Sequence, residues 1–136
     1  MRIIVDTNLW ISFLIGKKMA TLKSLFTHPN VCVYVCEQLL YEFDDVSSRQ
    51  KIRRYISEND VQDTYKLIDM YCRHVVVSKQ AVSPVRDIND LFLLSFAETV
   101  SADYIVTGDK DLLTLRVHNQ TGIVTYREFE SIMELL

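Results

Sequence analysis

Arg2-Ile3-Ile4-Val5 is a short run, apolar from Ile3 onward, and it stops at an acid, Asp6. Runs of this kind recur at Val31–Val35, Val75-Val76-Val77, Tyr104-Ile105-Val106 and Ile123-Val124-Thr125. None shows the polar–apolar alternation of a strand with one wet face. Each therefore reads as a strand buried on both sides. Between them lie stretches of helical character: Leu9–Ile15, Thr21–Phe26, Glu37–Arg49, Glu58–Tyr71, Ile88–Val100 and Tyr126–Leu135. Ser57 with Asp60, and Thr125 with Glu128, have capping spacing for the helices that follow them. His28-Pro29-Asn30 is a breaker, and Ser78–Arg86, with Pro84, reads as a loop. Ile88–Val100 is apolar nearly all round, which predicts a buried helix. Buried strands alternating with helices predict an α/β fold, an α/β/α sandwich around a five-stranded parallel sheet.

The chain has 136 residues, the length of one domain spanning residues 1–136. Hydrophobic residues make up 49% and charged residues 24%, which excludes a disordered tail. The apolar stretches Leu9–Ile15 and Leu91–Ala97 are far shorter than the ~18–20 residues a membrane span needs. A secretory signal is not expected either, because Asp6 interrupts the N-terminal apolar run. Cys32, Cys36 and Cys72 are odd in number and sparse, which suits a reducing, cytoplasmic setting. Cys32 and Cys36 lack a second close pair for zinc and read as small buried hydrophobes. The three glycines, Gly16, Gly108 and Gly122, are too scattered for a GxGxxG or Walker phosphate loop. No GxSxG nucleophile elbow is present. The chemistry left to this chain is carried by carboxylates.

In a parallel sheet, sites collect at the carboxyl ends of the strands where the strand order reverses. The first strand runs straight into Asp6, and the fourth is followed by Asp109, so two strands deliver acids to one rim. At about 100° per residue, Leu39, Phe43 and Val46 share a face, and Glu42 lies at its edge. Asp90 precedes Leu94 and Ala97 by four and seven residues and points inward from the first turn. Capping of a helix N-terminus is the leading reading of Asp87, an even alternative for Asp111 and the lesser alternative for Asp90, and Glu42 also suits a border position. Four inward carboxylates at one rim repel one another unless a cation joins them. A hard divalent ion with oxygen ligands, Mg²⁺ or Mn²⁺, resolves that repulsion.

Val5-Asp6-Thr7-Asn8, Glu42, Asp87-Ile88-Asn89-Asp90 and Val106-Thr107-Gly108-Asp109-Lys110-Asp111-Leu112-Leu113 together resemble the PIN-domain nucleases. Within that group they are similar to the VapC-like toxins of toxin–antitoxin systems. The resemblance runs through essentially the whole chain in order. It implies a five-stranded parallel sheet between helices, a Mg²⁺- or Mn²⁺-dependent endoribonuclease, a cognate antitoxin partner and a homodimer. Carried over by residue, it makes Asp6, Glu42, Asp90 and Asp109 the catalytic and metal-binding acids. Thr7, Asn8, Thr107 and Asp111 support them. The chain departs from the family at Leu91-Phe92, where a polar or charged residue is frequent.

The implied reaction is phosphodiester hydrolysis, with the metal polarising the phosphate and acidifying a bound water. The net charge of −3 predicts no polyanionic partner by itself. Arg49, Lys51, Arg53 and Arg54 nevertheless form a basic cluster with Tyr55 that suits RNA phosphates, or equally a solvated helix end. Leu9, Trp10, Phe13 and Leu14 form a bulky set near the first acid; some of them must pack in the core, and the family resemblance makes the rest an expected contribution to a dimer. A haloacid-dehalogenase-like phosphatase needs a second Asp two residues after the first, and that position is Asn8. The remaining alternative is a non-catalytic PIN-like scaffold that binds RNA or protein.

Overall fold

A computed structural model describes residues 1–136. In chain order the elements are β1 (Arg2–Val5), α1 (Thr7–Ile15), α2 (Met19–Thr27), β2 (Cys32–Val35), α3 (Glu37–Ser47), α4 (Gln50–Arg53), α5 (Glu58–Tyr71) and β3 (Arg73–His74). They continue as α6 (Ile88–Val100), β4 (Tyr104–Val106), α7 (Lys110–Leu115), β5 (Val117–His118), β6 (Thr121–Val124) and α8 (Tyr126–Glu134). The sheet order is β3-β2-β1-β4-β6-β5. Strands β3, β2, β1, β4 and β6 are parallel, and this five-stranded parallel sheet is the one expected. A sixth strand, β5, adds to it at the edge. It is two residues long and pairs antiparallel with β6 through a tight hairpin. The architecture is an α/β/α sandwich.

The chain builds outward from β1 in one direction through β2 to β3, then crosses to β4 on its other side. The order reverses between β1 and β4, so the switch point lies between those two strands. Their registers place Val5 beside Val106. The Asp6 N–H donates to the Val106 carbonyl at 2.9 Å, extending the pairing one residue beyond β1. The residues that follow Val5 and Val106 are thereby fixed next to each other at the carboxyl rim.

Core packing holds these elements in place. Ile3, Ile4, Val5, Ile105 and Val106 are fully shielded from water. Trp10 of α1 packs edge-on against Phe26 of α2 and Phe43 of α3, with centroids 5.9 and 5.6 Å apart. Trp10, Phe13 and Leu14 thus belong to the core, and only Leu9 of that bulky set is partly exposed. Trp10, Phe13 and Leu14 are taken up by the core and do not supply a protein-facing surface. Gly122 sits where a Cβ would come within 2.8 Å of the Tyr104 ring. Its lack of a side chain lets Tyr104 lie over the sheet and reach Phe129 of α8, 5.8 Å away.

Several elements differ from the sequence expectation. The third strand is Arg73–His74 rather than Val75-Val76-Val77. The Val75 N–H still reaches the Val35 carbonyl at 3.0 Å. Beyond Val35 the neighbouring chain turns into α3 and offers no further partner, so Val76 leaves the sheet and stands 87% exposed. The last strand is Thr121–Val124, because Thr125 is used as the N-cap of α8. The helix after β2 ends at Ser47, and Gln50–Arg53 forms a separate turn. Helix α6 keeps its expected limits, but its first residue, Ile88, is 79% exposed. The capping boxes at Ser57/Asp60 and Thr125/Glu128 are both formed. The three cysteines are free, with Cys36 and Cys72 buried. No helix is long and apolar enough to cross a membrane.

Candidate metal centre

The carboxyl rim gathers its acids from four places. Asp6 ends β1 and caps α1, its Oδ1 accepting from the Asn8 N–H at 3.1 Å. Glu42 looks in from α3. Asp90 is in the first turn of α6, which Asp87 caps through the Asn89 N–H at 2.7 Å. Asp109 follows β4 and caps α7, its Oδ1 accepting from the N–H groups of Asp111 and Leu112 at 2.8 and 3.2 Å. Asp6, Glu42, Asp90 and Asp109 line one small cleft of about 80 Å³, walled also by Leu39, Phe92 and Leu93.

Thr107 joins two of these acids. Its hydroxyl donates to Asp6 Oδ2 at 2.8 Å and accepts from the Asp109 N–H at 3.0 Å. It is fully buried. Thr107→Val keeps the shape but leaves the Asp109 N–H and the Asp6 oxygen without that partner. The expected cost is about 1–3 kcal/mol of stability, read as a lower urea midpoint with an unchanged slope. Thr107→Ser is expected to retain most of that stability.

Asp90 carries the strongest electrostatic signal. It is 5% exposed, and its Oδ2 is buried with no hydrogen-bond partner. Burial pushes its carboxyl up to about 6, and the nearby Asp109, Asp87, Asp6 and Asp111 add to the rise. Burial also raises the Asp6 carboxyl. The bonds from Thr107 and Asn8 pull it back, and Asp109 adds a smaller upward push. Glu42 is raised chiefly by burial. The Thr7 hydroxyl lowers it, Asp6 and Asp87 raise it, and Arg49 offsets part of that rise. The Thr7 Oγ1 is itself buried without a hydrogen bond of good geometry. An unpartnered polar atom such as the Asp90 Oδ2, on a residue that lines the acidic cleft, is costly unless a ligand satisfies it.

The tightest group of potential ligand atoms comes from Asp90, Asp109 and Asp111, all within 4.8 Å of one another. Asp6 borders the same cleft with each carboxylate oxygen already holding one hydrogen bond. Asn8 lines the cleft with Glu42, and so do Asp87 and Asn89, which sequence reasoning did not place in the site. The position of Asp87 as the cap three residues before Asp90 was the available signal.

The basic residues do not converge. Arg49 lines a groove shared with Asn8, Glu42 and Asn89, and it pairs with Asp45 at 3.0 Å. Arg53 turns away to Glu58 at the start of α5, at 2.8 Å. Lys51 and Arg54 are exposed on and after the short α4. His118 makes a 2.8 Å contact with Glu98 of α6 and lies outside the cleft.

Carboxylates gathered at the switch point of a parallel sheet, one of them buried and unpartnered, are a donor set able to hold a metal ion. A family model described as PIN domain matches residues 2–111, a span that holds all of these acids. The chain belongs to the PIN-domain family, whose members are generally metal-dependent nucleases. None of the curated proteins matches the chain.

Proposed function

We propose that this chain is a Mg²⁺- or Mn²⁺-dependent endoribonuclease that hydrolyses phosphodiester bonds of single-stranded RNA. In this reading it is the toxin of a toxin–antitoxin pair and works in the cytoplasm as a one-domain homodimer. The carrying observation is the buried Asp90 oxygen without a partner, on a carboxyl grouped with Asp109 and Asp111. Such a carboxylate is stable as an anion only beside a cation. The donors are hard oxygens, the set Mg²⁺ and Mn²⁺ take, so the residues fit such an ion. The toxin role, the antitoxin and the dimer draw their support from the Val-Asp-Thr-Asn and Val-Thr-Gly-Asp segments.

Asp90, Asp109 and Asp111, with Asp6 beside them, would hold the ion, which when bound would supply Lewis acidity toward a phosphoryl oxygen. The chain's own groups do the rest. Thr107 keeps Asp6 oriented and ties it to the backbone of Asp109. Because Asp109 Oδ1 caps α7, its Oδ2 is the oxygen left for a ligand. Glu42, half-buried and lining the same cleft, would orient the attacking water through its carboxylate. The narrow cleft admits one phosphate of a flexible strand, whereas a stacked duplex holds its backbone away.

The test is a side-by-side digest of end-labelled single-stranded RNA, single-stranded DNA and duplex DNA with Mg²⁺ or Mn²⁺. Cleavage of the single-stranded RNA is expected, with little cutting of duplex DNA. Equal cutting of all three, or cutting that survives Asp6→Asn, overturns the reading. A non-catalytic scaffold gives no cleavage at all.

A further inference from the structure

Beside the acidic cleft lies a larger hollow of about 440 Å³, at the carboxyl end of β2 between the start of α3 and the chain leaving β3. Its walls are mainly apolar, Tyr41, Val76 and Phe92 among them, with Glu37 and Gln38 the two polar residues. Tyr41 is 75% exposed and Val76 is 87% exposed. A phenol ring and a valine that share one hollow with Phe92 offer a joined apolar surface to a ligand.

The surroundings define what that is. Phe92 is a common wall of the hollow and the acidic cleft. Tyr41 and Gln38 are common walls of the hollow and the groove that holds Arg49. Glu42, Asn8 and Asn89 join that groove to the cleft. Three depressions of different chemistry therefore meet around Tyr41 and Glu42: one apolar, one acidic, one with a cation. The Arg49–Asp45 pair is exposed on both sides, and pairs of that kind are weak enough to exchange for a phosphate. A single polynucleotide strand offers matching groups in the same close succession, a flat base and two phosphates. An apolar peptide would match the hollow but neither of its neighbours.

We infer that this hollow is a nucleobase-binding subsite, in which a base of single-stranded RNA adjoining the scissile phosphate stacks against Tyr41 and Phe92 while Arg49 holds a neighbouring phosphate. The inference rests on the nuclease reading above and deepens it. Stacking tolerates any base, because each has a π-face. The exposed Gln38 amide at the rim adds a donor and an acceptor toward the base edge. A base can enter the hollow only when it is unstacked from its neighbours, which favours single strands over duplexes at this position.

The experiment is equilibrium binding, by fluorescence anisotropy, of a labelled short single-stranded RNA to the full chain at low salt in EDTA, so that the strand stays intact during the measurement. A matched oligomer with abasic positions serves as the comparison. The wild-type chain is expected to bind the base-bearing oligomer at least about tenfold more tightly, a difference of about 1.4 kcal/mol and within the range of base–aromatic stacking. Tyr41→Ala and Val76→Asp should erase that difference, and Tyr41→Phe should restore it. Both side chains are exposed, so the fold is not at stake. Equal binding of the two oligomers by wild type, or a difference that persists in Tyr41→Ala, overturns the subsite and leaves the hollow to a protein partner. Cleavage of the same RNA is scored separately. A chain that discriminates bases but does not cut refutes the nuclease reading alone, and one that cuts without discriminating refutes the subsite alone.

Discussion

Asp90→Asn is expected to lower metal-dependent cleavage by about 10²–10³-fold and to abolish the rise in melting temperature that Mn²⁺ gives the wild type, without unfolding the protein. The direction of the stability change follows from the position of this carboxyl. Its folded pKa of about 6 lies above its ordinary value of 3.8. Between those two values the unfolded chain has released the proton and the folded chain retains it. Stability of the metal-free protein therefore falls as pH rises from about 4 to about 6, and the penalty is complete above that window. Burial raises Asp6 and Glu42 as well, and both act in the same sense. Asparagine carries no charge, so metal-free Asp90→Asn should lose part of that slope. At neutral pH it should gain stability on the order of 1 kcal/mol, after allowance for solvent screening at the cleft mouth. Thermal unfolding from pH 4 to 7, with and without Mn²⁺, reads all of this. A variant that keeps the wild-type Mn²⁺ increment removes Asp90 from the metal centre.

The second large effect is structural. Trp10 is completely buried and links α1 to α2 and α3 through edge-on contacts with Phe26 and Phe43. Trp10→Ala removes those contacts and leaves a cavity, at an expected cost of about 3–5 kcal/mol. That is a large share of a total stability of roughly 5–15 kcal/mol. Trp10→Phe behaves differently. The Trp10 Nε1–H is buried without a partner, so phenylalanine deletes an unsatisfied donor together with part of the ring. The two effects oppose, and the net loss should stay under about 1.5 kcal/mol. Urea unfolding followed by circular dichroism separates the variants, since both lack the only tryptophan. A Trp10→Ala loss below about 1 kcal/mol would contradict the packing described.

The two variants also separate kinds of information. That Trp10 is apolar could be read from the chain, but whether it faced a partner or the core could not. Leu9, Trp10, Phe13 and Leu14 are bulky at helical spacing, and such a stripe serves either purpose. Only the placement of Phe26 and Phe43, contributed by two later helices, assigns it to the core.

Local rules settled much of the rest in advance. Continuous apolar runs between helical stretches specified a parallel sheet with helices on both faces, because a strand without a polar face must be covered twice. Acids after β1 and β4 identified the rim, because parallel strands all present their carboxyl ends to one side. The limits of α5 and α6 and both capping boxes were legible, since caps are set by residues within one turn of each other. What depended on partners in space was not legible. The third strand sits at Arg73–His74 because β2 offers no pairing beyond Val35. The edge strand β5 exists only through its hairpin with β6. Arg49 lines the groove next to the acidic cleft while Arg53 turns to Glu58, although the two lie four residues apart. Sequence alone therefore determined which residue types reach the rim. Tertiary structure decided which carboxylates approach within 4.8 Å, which oxygen remains unpartnered and which apolar hollow opens beside them. The physical reason is that strand order and helix docking, rather than chain spacing, set every distance between Asp6, Glu42, Asp90 and Asp109.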